Sequence, residues 1–265
     1  MQPPATRPAI AAGTASSAGS SALTESVSSP GAAHRAAGPM PGPQQTGNPS
    51  DMPEHRQAFQ RDLETIEAKI IELFAVVAED LSEATRALLS GDRQVAKLLA
   101  ERDLVIDELY REIDQLVSRE IALQAPVASD LRFLLSVLRI VPELERSHHL
   151  AVDIAYRADH ILSEDLSPRC RDLVARMGHL ASTAWREAAD AWYRRDPSAA
   201  AALSKRDDEM DELHASLMAE LASGRMALPV TMEMTLVARF YERLGDHALN
   251  IGDRVVYLAG SHNPP

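Results

Sequence analysis

Near the C-terminus, Glu242, Asp246 and Asn250 recur at four-residue steps within Arg239-Phe-Tyr-Glu-Arg-Leu-Gly-Asp-His-Ala-Leu-Asn-Ile-Gly-Asp253. On a helix that spacing stacks three oxygen donors one turn apart on a single face. Hard oxygen donors suit magnesium, calcium, manganese or oxidised iron, but one helix supplies too few of them to close a coordination shell. A neighbouring helix must contribute, and Asp207 and Asp211, themselves one turn apart, are the natural donors. The competing reading is a solvated acidic stripe paired with Arg239 and Arg243, each pair contributing only a few tenths of a kcal/mol. Spacing alone leaves the two readings level.

The same frame occurs upstream in Glu143-Leu-Glu-Arg-Ser-His-His-Leu-Ala-Val-Asp-Ile-Ala155. There Glu145, Arg146, His149 and Asp153 match Glu242, Arg243, Asp246 and Asn250 at an offset of 97 residues (242 − 145). Arg102-Asp-Leu-Val-Ile-Asp-Glu-Leu109 likewise aligns with Arg206-Asp-Asp-Glu-Met-Asp-Glu-Leu213 at an offset of 104 (206 − 102). This period is much longer than the ~20 to 50 residues of solenoid repeats, so the chain holds two copies of one supersecondary unit. In the first copy, Glu145, His149 and Asp153 with Asp103 and Asp107 would form a mixed nitrogen and oxygen set, which imidazole biases toward transition metals. Pro142 interrupts that helix, however, and an interior proline removes a backbone hydrogen bond and kinks the helix at ~3 kcal/mol or more. The sequence therefore ranks the second copy above the first.

Two other chemistries use the same residues. Glu145-Arg-Ser-His148 has the Glu-x-x-His spacing of di-iron carboxylate bundles, which need that motif on two helices. Its repeat partner, Glu242-Arg-Leu-Gly245, lacks the histidine. A histidine phosphotransfer bundle would need His148, His149 or His247 exposed on four helices, against the duplicated plan and the acidic surround. There is no glycine-rich phosphate loop, nucleophile elbow or spaced Cys/His set, so direct phosphate binding is not indicated.

The elements that must position these residues are helices. Across 265 residues the composition is 45% hydrophobic but only 4% aromatic, enough for a sizeable core built from Leu, Val, Ile, Ala and Met. Helix one is expected from about Arg56 to Leu89, with Leu63, Ile66, Ile70, Leu73, Val77 and Leu81 on one stripe. Helix two follows from about Asp92 to Leu123, and Ala125-Pro126 opens helix three, which runs to about Leu162. Ser167-Pro168, Asp196-Pro197 and Leu228-Pro229 start helices four, five and six. Trp185, Trp192 and Tyr193 should line one side of helix four in packing, and Arg102 and Arg206 are expected to pair with acids on helices three and six. The expected architecture is all-α, two tandem three-helix bundles related by the repeat, at residues 54–165 and 166–260, with a short tail at 261–265.

Residues 1–53 are rich in Pro, Gly, Ser, Ala and Thr and cannot offset the entropy of ordering, so disorder is expected there, with Met52 as an alternative start. No signal peptide or membrane span is expected. The net charge of −12 argues against nucleic-acid binding and favours cations and basic protein surfaces as partners. A single cysteine, Cys170, points to a reducing compartment.

The run from Glu242 to Ile251, its degenerate partner at Glu145, the Leu123-Gln-Ala-Pro-Val-Ala-Ser-Asp-Leu-Arg132 approach to helix three and the duplicated plan resemble the PhoU family over residues 56 to 260. The resemblance implies a cytoplasmic, non-enzymatic negative regulator of the phosphate-starvation response. It would link the ATPase subunit of the high-affinity phosphate importer to a sensor histidine kinase, at the inner face of the membrane through those partners, as a homo-oligomer such as a homodimer. The Glu/Asp-x-x-x-Asp pattern, carried here by Glu242 and Asp246, is associated in that family with metal, so iron, manganese or magnesium is expected. The first copy departs from the pattern: His149 stands where an Asp is expected, and Leu150 replaces the His.

Overall fold

The computed structural model describes residues 52–159 and 165–260, and among them the secondary structure is helical throughout. The expectations for residues 1–51, for the last residues of helix three and for 261–265 lie outside the described residues. Six α-helices follow in order: α1 (Met52–Ser90), α2 (Arg93–Gln124), α3 (Ala128–Tyr156), α4 (Pro168–Arg194), α5 (Ala199–Ala222) and α6 (Leu228–Ala259), with a 3-10 turn at Arg157–Asp159 after α3.

The ends follow local chemistry. Gly91, at φ 74°, takes the left-handed conformation that closes α1, and the Asp92 side chain then accepts from the Gln94 amide to cap α2. Ser167 Oγ accepts from the Cys170 amide at 3.0 Å ahead of Pro168, as the Ser-Pro pair predicts. Asp196-Pro197 behaves differently. Asp196 Oδ1 accepts from both the amide and the hydroxyl of Ser198, which closes a turn and delays α5 to Ala199. Pro142 does not end α3, because Val137, Ile140, Val141 and Leu144 around it are buried and hold the helix in place.

Apolar stripes decide the packing. The α1 residues Leu63, Ile66, Ile70, Leu73, Val77 and Leu81 are all buried, as are Leu99, Ile106, Leu109 and Ile113 of α2. Helices α1 to α3 pack as one trio and α4 to α6 as another; α1 lies against α4 and α3 against α6, so one core runs through both trios. Aromatic contacts cross that junction: the Phe74 and Trp185 rings lie 6.2 Å apart and Phe133 and Trp192 6.1 Å apart. Both tryptophans are fully buried, but Tyr193 is 67% exposed, so the expected three-aromatic side holds only its two indoles. Tyr193 follows Trp192 directly, and a step of about 100° around the helix turns it toward solvent.

Polar contacts also tie the trios together. Tyr241 Oη on α6 lies 2.8 Å from Thr85 Oγ1 on α1, and burial pushes the Tyr241 phenol far up. Ser147 Oγ on α3 lies 2.8 Å from His247 Nδ1 on α6. Trp185 Nε1 donates to the Leu244 carbonyl. Buried polar groups that find partners across a junction fix its register, since any other alignment would leave them unpaired.

Candidate functional site

Arg102 and Arg206 open the site at equivalent places in the repeat. Contrary to the expected pairing with helices three and six, each reaches back to the first helix of its own trio. Arg102 binds Asp80 of α1 and lies 3.4 Å from Glu83, whereas Arg206 holds Glu187 of α4 through two bonds of 2.9 and 3.1 Å. Both α2 and α5 pack against the preceding and the following helix, and the acids that meet each arginine lie on the preceding one, across a seam the guanidinium fork spans while its stem covers apolar surface.

One residue beyond each arginine sits an aspartate aimed the other way. In the first trio Asp103 meets α3, with Oδ1 3.0 Å from His148 Nε2 and 3.2 Å from His149 Nε2. His148 is fully buried, and its Nδ1 is hydrogen-bonded to Asp80 Oδ2 at 2.7 Å. The Asp103–His148 contact lacks hydrogen-bond alignment. Asp80 was missed by sequence reasoning, although the signal was present: it lies three residues after Val77 and seven after Leu73, inside the apolar stripe of α1. A carboxylate in a core position must have a buried partner, and here it has both Arg102 and His148.

His149 points to the rim. Its Nδ1 lies 3.5 Å from Glu145 Oε1, and Asp107, Glu145 and His149 each offer a ligand atom within 4.8 Å of the other two. That spacing fits one cation held between α2 and α3, with Asp103 beside it. Asp153, partly buried one turn further on, is outside this group. Among the described residues, therefore, the first copy gathers the closer donor set, although the sequence ranks the second above it. Continuity of α3 through Pro142 is what keeps Glu145 and His149 in register with Asp107.

In the second trio the corresponding position to His148 is Gly245, and its lack of a side chain sets the geometry. A Cβ there would lie 2.8 Å from Asp207 Oδ1, so the carboxylate leans directly on the α6 backbone. Partial burial and the charges of Asp246, Asp211, Asp208 and Glu242 push the Asp207 carboxyl up to about 6. These carboxylates thus feel one another across α5 and α6, as the four-residue spacing predicts, in a looser arrangement than the first set. Glu242 also pairs with Arg239 one turn back. Asn250 is drawn away, lining a cleft toward α3 with Glu143, Arg146 and Asp253.

The rival chemistries lose His148 and His247 to these contacts, and His149 stands at the rim between Asp103 and Glu145. A di-iron site would need His148 free, but both its ring nitrogens face carboxylates. For phosphotransfer, His148 and His247 are buried, and burial together with Arg243 and Arg146 holds the His247 imidazole down at about 4.

Comparison with known proteins agrees with the duplicated plan. The family model described as the PhoU domain matches residues 70–158 and 174–255, once on each trio. A curated relative from Pseudomonas putida, named as a phosphate-specific transport system accessory protein PhoU homolog, is 32% identical over 206 residues, covering 76% of this chain and 80% of its own. A relative of the same name from Synechocystis sp. is 32% identical over 219 residues, 81% of this chain and 95% of its own. The crystal structure of PhoU from Pseudomonas aeruginosa superposes with a TM-score of 0.71 at 30% identity, covering 76% of this chain and 98% of that one. With the same six-helix plan and both halves matched, the chain belongs to the PhoU family.

Proposed function

We propose that this chain is a non-enzymatic negative regulator of the phosphate-starvation response. It would couple a high-affinity phosphate importer, through its ATPase subunit, to a sensor histidine kinase. The observation that carries the reading is that PhoU domains account for both trios, the relatives being named as accessory proteins of the phosphate-specific transport system. In keeping with attachment through partners, no helix among the described residues is long and apolar enough to cross a membrane. A cytoplasmic location at the inner membrane face, as a homodimer, fits this role. The test is deletion of the gene followed by phosphate-responsive transcription at high phosphate: derepression is expected, and unchanged output in a strain without a paralogue refutes the regulatory role.

The acidic faces belong to the same reading. Asp107, Glu145 and His149, with Asp103 beside them, would hold a transition metal such as iron or manganese, and Asp207, Asp211, Glu242 and Asp246 a harder ion such as magnesium. The observation that fits an ion in the second set is the Asp207 carboxyl, raised first by burial and then by Asp246, Asp211, Asp208 and Glu242; a cation among them would offset both the desolvation and the repulsion. A bound ion would supply a fixed positive charge linking α2 to α3 and α5 to α6, while Gly245 lets Asp207 approach α6 and Asp80 fixes His148 beneath His149.

A further inference from the structure

Between α1 and α4 lies a cleft of about 500 Å³ whose lining includes Ser82, Arg86, Leu89, Ala175, Ser182 and Arg186. Its charged lining is wholly cationic. Two arginines and a histidine face it with four hydroxyls and no carboxylate, in a chain whose net charge is −12. Neighbouring clefts of similar size are mixed: Glu143 and Asp253 line one and Asp130 another.

The cleft is built by the fold. Gly178 lets α4 approach α1 so closely that a Cβ there would lie 2.8 Å from Thr85 Cβ. Where the helices diverge beside this contact, Ser82 and Ser182 face each other with their hydroxyls 3.0 Å apart, and Arg186 donates one Nη2–H to Ser82 Oγ at 3.4 Å. The nearest competitor for Arg86 is Glu83, 3.9 Å away and already shared with Arg102. A guanidinium offers five donors, so most of those on Arg86 and Arg186 remain available to a ligand. Leu89 and Ala175 supply an apolar wall beside this polar floor.

We propose that this cleft binds a phosphomonoester, with the phosphoryl oxygens held by Arg86 and Arg186 above the Ser82 and Ser182 hydroxyls, which donate to Ala78 and Gly178 carbonyls of their own helices, and the organic part against Leu89 and Ala175. Paired arginine forks in a cleft that no carboxylate lines are the chemistry that recognises a phosphoryl dianion, and the apolar wall distinguishes an ester from the bare ion. The proposal stands apart from the regulatory role, because its test measures binding to the purified chain. Failure there leaves the genetic reading standing.

The test is calorimetric titration of the full chain at about 0.15 M salt, where the screening length is about 8 Å and the distant acidic faces are largely masked. Probes are AMP, adenosine, inorganic phosphate and vesicles containing phosphatidic acid. AMP is expected to bind saturably and more tightly than phosphate, while adenosine does not bind. The double variant Arg86→Gln/Arg186→Gln should weaken AMP by more than about tenfold. Arg111→Gln, on α2 beside Glu108 and outside the cleft, should leave it unchanged. Both cleft arginines are exposed, so the double variant should keep its helicity, and a shift of the His179 imidazole resonance on adding AMP to the unaltered chain reports the site independently. Vesicle binding without AMP binding, lost in the same double variant, supports the phosphomonoester chemistry and assigns it to a lipid headgroup. Equal binding of phosphate and AMP overturns the ester part of the proposal; no binding of any phosphorylated probe, or undiminished binding in the double variant, overturns the site.

Discussion

Gly178→Ala tests the junction between the trios. In an exposed helix interior this change stabilises by about 0.5–1 kcal/mol, because alanine restricts the unfolded chain. Here the new Cβ would sit 2.8 Å from Thr85 Cβ and closer still to its Oγ1 and Cγ2, so rotating the threonine cannot relieve the clash. Overpacking of this kind costs about 1–3 kcal/mol. Thr85 Oγ1 also pairs with the fully buried Tyr241 hydroxyl at 2.8 Å, and separating them leaves a buried polar group unpaired at about 1–3 kcal/mol. Setting the propensity gain against both costs leaves a net loss of about 3 kcal/mol, or about 6–12 °C in Tm for a body of this size. A double-mutant cycle sharpens the assay: Thr85→Ala alone should destabilise by orphaning Tyr241, and adding Gly178→Ala to it should cost less than in the parent, because only the Cβ–Cβ approach at 2.8 Å remains once Oγ1 and Cγ2 are gone. Urea and thermal unfolding of the four chains measure the coupling. A Gly178→Ala chain as stable as the parent, or more so, would falsify the close approach of α1 and α4.

Other perturbations probe different parts of the molecule. Elemental analysis after incubation with iron or manganese should find metal that falls in Glu145→Ala/His149→Ala and in Glu242→Ala/Asp246→Ala, the first pair losing more iron because its donors are closer together; metal-free parent protein would leave both faces as solvated acid stripes. In chelator, the His247 imidazole, held at about 4 in the fold against about 6.5 unfolded, contributes stability that is present above about pH 6.5 and lost as pH falls toward 4, so His247→Asn should flatten that part of the urea-midpoint profile. Asp207 acts with the opposite sign: its carboxyl, raised to about 6 by burial and then by neighbouring carboxylates, makes stability fall as pH rises from about 4 to 6, and an unchanged slope in Asp207→Asn would contradict that environment. Cys170 is fully buried and its thiol is pushed up to about 11, chiefly by burial, so it should resist a thiol reagent in the folded chain and react promptly in denaturant. Association with a basic partner should weaken as salt rises past physiological strength, whereas salt-independent binding would point to an apolar interface instead.

The helices were legible in the sequence because a 3.6-residue apolar period and proline or glycine punctuation are local signals, and the duplication was legible because its two copies keep the same frame. The first and second donor sets could likewise be named, since four-residue spacing alone puts Glu145 with His149 and Glu242 with Asp246. Their ranking depended on distances between helices. Whether Asp107 reaches Glu145 and His149, or Asn250 turns away toward α3, is set by the rotation of one helix against its neighbour, which no single-helix pattern encodes. Pro142 shows the same division: local chemistry predicts a lost hydrogen bond and a kink that would shift Glu145 and His149, but the buried residues around it hold α3 continuous. Asp80 and Gly245 gain their meaning only in three dimensions, one as the buried partner of Arg102 and His148, the other as the space Asp207 fills. Periodicity fixes which face of a helix is apolar, but packing fixes which charges meet across it, because side-chain contacts between helices depend on shifts of a few ångströms that leave the one-dimensional pattern unchanged.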